Sequence, residues 1–231
     1  VNRKKILVVL SGAGMRAESG IKTFRDSGGL WEEYDVSEVA TPMAWWKNRD
    51  LVLRFYNERR RQLEKAEPNK GHLLLADLQH HFDVRVITQN VDDLHERSGS
   101  KNVLHLHGEL TKARSTDNPE LIYEIGYNDI KPGDKCEKGS QLRPHIVWFG
   151  EAVPLMDRAA ETVAEAEIFV VIGTSLNVYP AAGLVDCKPD GIPVFLIDPN
   201  DVPVRKTENV EIIRKGASEG MQLLTDLLLK R

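Results

Sequence analysis

The sequence predicts an α/β fold, a doubly wound parallel sheet carrying a small inserted lobe. Three observations predict it. Short, continuously apolar runs recur along the chain, as in strands buried on both faces of a parallel sheet. Helical patterns alternate with these runs. The first run ends in a glycine-rich turn, the usual passage from a first strand to its helix.

The strand candidates are Lys5–Ser11, Val84–Thr88, His145–Phe149, Ile168–Ile172 and Pro193–Ile197. Helical patterns lie at Gly71–His80, Leu155–Ala166 and Ser218–Lys230. Two stretches interrupt the alternation. Residues 36–67 are charged, include Trp45 and Trp46, and read as helices with no strand between them. Residues 112–144 are polar and rich in turn signals such as Asp117-Asn118-Pro119 and Lys131-Pro132-Gly133-Asp134. Both are expected as insertions forming a small lobe over the carboxyl ends of the strands. With 231 residues, the whole chain is read as one catalytic-type domain with that lobe inside it.

Composition excludes several classes. A net charge of −4 supplies no overall basic field for nucleic acid. No apolar run reaches membrane-spanning length, so no membrane partner is expected. Two cysteines, Cys136 and Cys187, are too few for a disulfide framework or a four-cysteine metal site. The basic start followed by Ile6–Leu10 resembles a signal peptide but runs into the glycine turn, and a cytoplasmic location is expected.

The turn after the first strand is Gly12-Ala13-Gly14-Met15-Arg16-Ala17. A first glycine permits the tight turn, a second lets backbone approach a pyrophosphate, and the small Ala17 lets the next helix pack closely. The same pattern also serves plain strand–turn–helix packing. Among acidic partners for a ribose, Glu32, Glu33 and Asp35 follow a loop, whereas Asp198 ends the strand Pro193–Ile197, where sheet-end ligands sit. Gly173-Thr174-Ser175, at the end of Ile168–Ile172, offers amides and hydroxyls to the same ligand. These features make the sheet Rossmann-like.

Longer blocks follow. Gly14 to Arg25 reads GMRAESGIKTFR, Thr88 to His95 reads TQNVDDLH, and Leu106 to Glu109 reads LHGE. Val147 to Glu151 reads VWFGE, and Gly173-Thr174-Ser175-Leu176 is followed by Tyr179-Pro180-Ala181-Ala182. In this order, from about residue 6 to 218, they resemble the signatures of the sirtuin family. The resemblance implies NAD-dependent removal of acyl groups from lysine side chains, releasing nicotinamide and O-acyl-ADP-ribose. The implied partner is acylated lysine in protein or peptide. By the same resemblance, Asp92 holds the nicotinamide carboxamide, and Gln89 and Asn90 hold the ribose and an ordered water. Phe24 covers the reacting sugar, Arg25 organises the loop around it, and Ala217 joins the cofactor-binding set. Val147, Trp148, Phe149, Gly150 and Glu151 form the acyl-lysine channel.

The residue types suit that chemistry. His107 titrates near neutral pH and serves as a base for a ribose hydroxyl, with Asn90 and Asp92 as further catalytic residues. Taken alone, His107 also reads as a strand-end residue, and Val147-Trp148-Phe149 as core. The chain departs from the family twice. Only Cys136 stands where most sirtuins carry four zinc cysteines, with Ser115 near the first ligand position, so no metal is expected. Residues 112–144 should instead pack around Leu121, Ile122, Tyr123, Ile125, Tyr127 and Ile130. The second departure is Arg16, where the family has a small polar residue, and a pyrophosphate is the expected neighbour.

Phe55 to Arg61 reads FYNERRR and resembles the branch that accepts acidic acyl chains. Tyr56 and Arg59 share a helix face, and a guanidinium takes a carboxylate in two parallel hydrogen bonds. A solvated basic face is the other reading. Thr23 before Phe24 points to the same branch. Two alternatives to deacylation remain. One is ADP-ribosyl transfer or NAD hydrolysis in the same cleft; the other is a non-catalytic NAD or ADP-ribose sensor.

Overall fold

A computed structural model describes residues 3–21, 34–202 and 209–230. The chain runs β1 (Ile6–Ser11), a 3-10 helix (Ala13–Ser19), then α1 (Val36–Val39), α2 (Pro42–Lys47), α3 (Arg49–Lys65) and α4 (Lys70–Asp77). β2 (Asp83–Thr88), α5 (Leu94–Arg97), β3 (Val103–His105), β4 (Gly108–Ser115), β5 (Ile122–Glu124) and β6 (Leu142–Ile146) follow. The chain ends with α6 (Met156–Ala164), β7 (Ile168–Ile172), β8 (Val194–Ile197), β9 (Val210–Ile213) and α7 (Ala217–Leu229).

Six strands form one parallel sheet in the order β3-β2-β1-β7-β8-β9. The order reverses between β1 and β7, and the crevice beyond their carboxyl ends is where doubly wound sheets bind ligands. β1 shows why the sheet reads as unbroken apolar runs. Leu7 and Val9 pack on one face with Leu75 of α4 and Met221, Leu224 and Leu228 of α7. Ile6, Val8 and Leu10 pack on the other with Ala159 and Val163 of α6. Neither face meets water, so neither needs polar alternation.

The expected strand His145–Phe149 does not belong to this sheet. β6 begins earlier, at Leu142, and pairs antiparallel with β4, which also pairs with β5. Trp148 lies beyond β6 and turns into the lobe's own core, with Trp45, Phe55, Leu110 and Ala113. Among the expected packing residues of 112–144, Ile130 is buried, and Ile125 and Tyr127 pack against that core. Ile122 instead sits on the edge strand β5 with 46% of its surface exposed.

The helices of the lobe are set by their caps. Thr41 Oγ1 accepts from Ala44 N at 3.0 Å, and Pro42 begins α2 with its missing N–H at no cost. Asn48 Oδ1 accepts from Leu51 N at 3.1 Å and starts α3. That helix turns Val52, Leu53, Phe55, Tyr56, Asn57, Arg60 and Leu63 inward.

Candidate active site

Two glycine turns meet at the reversal point. Gly12 N donates to Ile172 O at 2.9 Å, and Gly14 N donates to Gly173 O at 2.8 Å. A Cβ on Gly14 would lie 2.7 Å from Gly173 Cα. Gly173 itself has φ +63°, and a Cβ there would lie 2.3 Å from Met15 N. Only glycine permits backbone to approach backbone this closely. The glycines thus first bring the two turns together, with Ala13, Thr174 and Ser175 beside them at the crevice. Ala17 is exposed, so it does not close the packing as the sequence pattern suggested. The helix that follows is a seven-residue 3-10 segment.

The end of β2 supplies the polar groups. Gln89 N donates to Ser11 O at 2.9 Å, which continues the β1–β2 pairing past the strand end. The Gln89 side chain donates to Thr174 Oγ1 at 3.1 Å, across to the second glycine turn. Asn90, 3% exposed, donates through Nδ2 to Gly12 O at 2.9 Å. One strand end therefore touches both turns.

His107 sits between β3 and β4. Its Nδ1 lies 3.0 Å from Gln89 O. A carbonyl only accepts, so Nδ1 carries the proton and Nε2 keeps its lone pair. Burial holds the imidazole below its ordinary range, which favours the neutral base. The turn that places it depends on Gly108, at φ +81°, where a Cβ would fall 2.0 Å from His145 O. The His107 carbonyl accepts from Val147 N at 2.9 Å and so ties the base to the start of the VWFGE segment. His105, the last residue of β3, is engaged otherwise. It bonds Asn90 O through Nδ1 and Glu96 through Nε2, at 3.2 and 2.8 Å.

The VWFGE segment divides its work. Trp148 is 2% exposed and Phe149 is 53% exposed. Glu151 accepts from Arg143 Nη1 at 2.8 Å and from Trp148 N at 2.8 Å, and Arg114 is 3.3 Å away. Its carboxylate holds the segment onto β4 and β6, with Gly150 turning at φ +90° between. Arg143 also stacks 3.3 Å from the Trp148 ring centroid.

Asp198 follows β8 with 8% exposure, and its Oδ1 accepts from Asn200 N at 2.9 Å. Ala217 opens α7, 4% exposed. Tyr56 is nearly sealed, at 1% exposure, and its hydroxyl accepts from Trp148 Nε1 at 3.0 Å. Its own proton remains to be donated, and burial pushes its pKa up to about 12. Arg59 lies over the Phe55 and Tyr56 rings at 5.5 and 5.7 Å. Thr23, Phe24 and Arg25 lie outside the described residues.

Arg16 departs most from expectation. It turns into the protein, 6% exposed, and its Nη1 donates to Asp92 Oδ2 at 3.1 Å. Asp92 is 1% exposed. Burial disfavours the Asp92 charge, yet Arg16 and the Leu94 amide hold its pKa below the ordinary carboxylate value. Spacing gave no signal for this pair, because its members lie 76 residues apart. Sequence reading also missed the buried link His95–Ser11–Thr88 beneath the site, with both contacts at 2.9 Å. Among the described residues, no group of three or more His, Cys, Asp or Glu is placed to hold a metal. Ser115 and Cys136 pair with one another instead, at 3.4 Å.

The donor set fits NAD. Glycine turns at the crevice suit a diphosphate, the Asp198 carboxylate suits ribose hydroxyls, and the Gln89 and Asn90 amides suit the second ribose. Comparison with known proteins agrees. A model of the Sir2 family matches residues 12–180. A protein of Bacteroides thetaiotaomicron named NAD-dependent protein deacylase is 56% identical over 230 residues, covering 97% of this chain and 98% of its own length. A Helicobacter pylori protein of the same name is 51% identical over 226 residues, covering 98% and 96%. A solved Sir2 homolog in complex with NAD superposes with a TM-score of 0.87 at 42% identity, covering 98% of this chain and 90% of that one. The chain belongs to the Sir2 family.

Proposed function

We propose that this protein is an NAD-dependent protein lysine deacylase that transfers the acyl group to ADP-ribose and releases nicotinamide. The observation that carries this reading is His107, fixed by Gln89 O as a neutral base beside a strand end that reaches both glycine turns. NAD, when bound, supplies the ribose carbon that takes the acyl oxygen as nicotinamide leaves. Gly12, Ala13, Gly14, Gly173, Thr174 and Ser175 line the place for its diphosphate. Asp198 would hold a ribose, Ala217 would border the cofactor, and Asp92 would take the carboxamide. Gln89 and Asn90 orient the second ribose and a water. His107 Nε2 accepts the proton of a ribose hydroxyl. Val147 and Phe149 border the path of the acylated lysine.

The test is mass spectrometry of products from NAD and an acetyl-lysine peptide. O-acyl-ADP-ribose is the expected product, and His107→Ala should lower turnover roughly 10²-fold or more while ADP-ribose still binds. Modified protein or free ADP-ribose alone would indicate the transferase or hydrolase reading. The buried Arg16–Asp92 pair favours one further reading, a sensor, which binding without turnover would reveal.

The acyl group is read as acidic, succinyl or malonyl, besides acetyl. Arg59 sits over Tyr56, whose hydroxyl proton is free of Trp148, so both can donate to a terminal carboxylate. Arg59→Met should cost a succinyl peptide roughly 30-fold to several thousand-fold in kcat/KM and an acetyl peptide little. Equal losses on the two peptides would make Arg59 a packing residue. Tyr56→Phe should act in the same direction and also leave the Trp148 indole N–H without its acceptor. The thiols Cys136 and Cys187, neither of them in a disulfide, suit a reducing cytoplasm.

A further inference from the structure

We propose that Arg16 competes with nicotinamide for Asp92, so that this protein releases nicotinamide readily and is weakly held by it. The proposal rests on the reading of Asp92 as the carboxamide partner. Both oxygens of Asp92 already have donors. Oδ2 accepts from Arg16 Nη1 at 3.1 Å, and Oδ1 accepts from Leu94 N at 3.3 Å. Both partners of the ion pair are buried, with side-chain exposures of 7% and 0%. In such surroundings a cation is a far stronger partner for a carboxylate than a neutral amide N–H.

The surroundings add to this. Arg16 Nε is buried and has no hydrogen-bond partner among the described residues, so the guanidinium is anchored through Nη1, on Asp92. Arg59 lies near enough for its charge to be felt. After burial, Arg16 is the main cause that depresses Arg59, to about 10, and Asp92 acts on it in the opposite sense. Separating Asp92 from Arg16 would leave a buried guanidinium without the carboxylate it is paired with. A carboxamide must either displace Arg16 or fit beside it, and the fraction of protein with Asp92 available sets its apparent affinity.

The test measures the Kd of free nicotinamide by ligand-observed NMR titration, on the full chain saturated with ADP-ribose. Four proteins are compared: unaltered, Arg16→Ser, Asp92→Asn and the double variant. ADP-ribose lacks the nicotinamide end, so its own Kd reports folding of each variant. Arg16→Ser should tighten nicotinamide at least about tenfold, and the double variant should lose that gain. Unchanged or weaker binding in Arg16→Ser, with weaker binding in Asp92→Asn, would overturn the competition and leave Asp92 as the carboxamide partner. Tightening that persists in the double variant, or no effect of either residue, would overturn the role of Asp92 and the competition with it. Low-micromolar binding of nicotinamide to the unaltered protein would overturn the proposal without any variant.

Discussion

Arg59, Arg60 and Arg61 follow one another on α3 and end in three environments. Arg59 lies over the rings of Phe55 and Tyr56. Arg60 is fully buried, with Nε donating to Leu110 O at 2.7 Å and Nη1 to Asn57 Oδ1 at 2.6 Å. Asn57 in turn bonds the Ile130 backbone in both directions, at 2.9 and 3.0 Å. Arg60 therefore joins α3 to β4 and to the 128–130 loop, and burial pushes its pKa down to about 10. Arg61 reaches Asp129 with both contacts at 2.8 Å, but the pair is exposed. Helical geometry explains the split, since successive residues point about a third of a turn apart. Arg60→Met should destabilise the protein by about 2–4 kcal/mol, because Leu110 O loses the donor that Arg60 supplies and Asn57 Oδ1 loses one of its two. Arg61→Ala should cost about 0–1 kcal/mol, as exposed pairs do. Urea unfolding of the two variants checks this, and similar losses would refute the division of roles.

At the scale of elements, what was legible follows from what repeats. β1, β2, β7 and β8 are buried on both faces, so their apolar runs stand out from the sequence. β3 and β9 escaped notice because they are sheet edges of three and four residues, partly exposed. β4 and β5 escaped because the lobe's strands carry charges, as in Glu109, Lys112 and Arg114. Their hydrogen bonds are long-range and leave no local pattern. The helical insertion was legible from its charged, strand-free run and its tryptophans, and the structure adds Thr41 and Asn48 as the caps of α2 and α3. Sequence blocks named Gln89, Asn90 and His107 as candidates, and the structure brings these three together at one strand end. The site was not legible where partners are distant. Glu151 looked like a channel residue, but Arg143 and Arg114 engage its carboxylate. Arg16 looked like a phosphate neighbour, and its ion pair with Asp92 exists only in three dimensions.

For the molecule as a whole, the buried imidazoles decide how it meets acid. His72 and His95 are fully buried, with ring centroids 5.0 Å apart, between α4, α5 and the floor of the sheet. Burial pushes His72 down to about 3, and the neighbouring His95 adds to the effect. Burial pushes His95 down to about 4 against the opposing pull of Asp92. In the unfolded chain both take up protons near pH 6.5. Between that value and the folded pKa the unfolded state binds more protons, so stability falls as pH falls. The slope is about 1.4 kcal/mol per pH unit for each group. His105 works in the opposite direction. Burial disfavours its charge, but the Glu96 hydrogen bond and charge raise its pKa, so its contribution is present below the unfolded value and lost as pH rises through the folded one. One such group does not offset His72 and His95, to which His145, pushed down to about 4 by burial, and His107, lowered by burial, add in the same direction. The urea midpoint should therefore drop markedly from about pH 7 to about pH 5, by on the order of 2–4 kcal/mol in unfolding free energy. Replacing both with neutral side chains, as His72→Asn and His95→Asn, should flatten that dependence even though the double variant starts less stable. A pH dependence of the same steepness in the double variant would move the acid sensitivity away from this pair, to His145, His107 and the carboxylates.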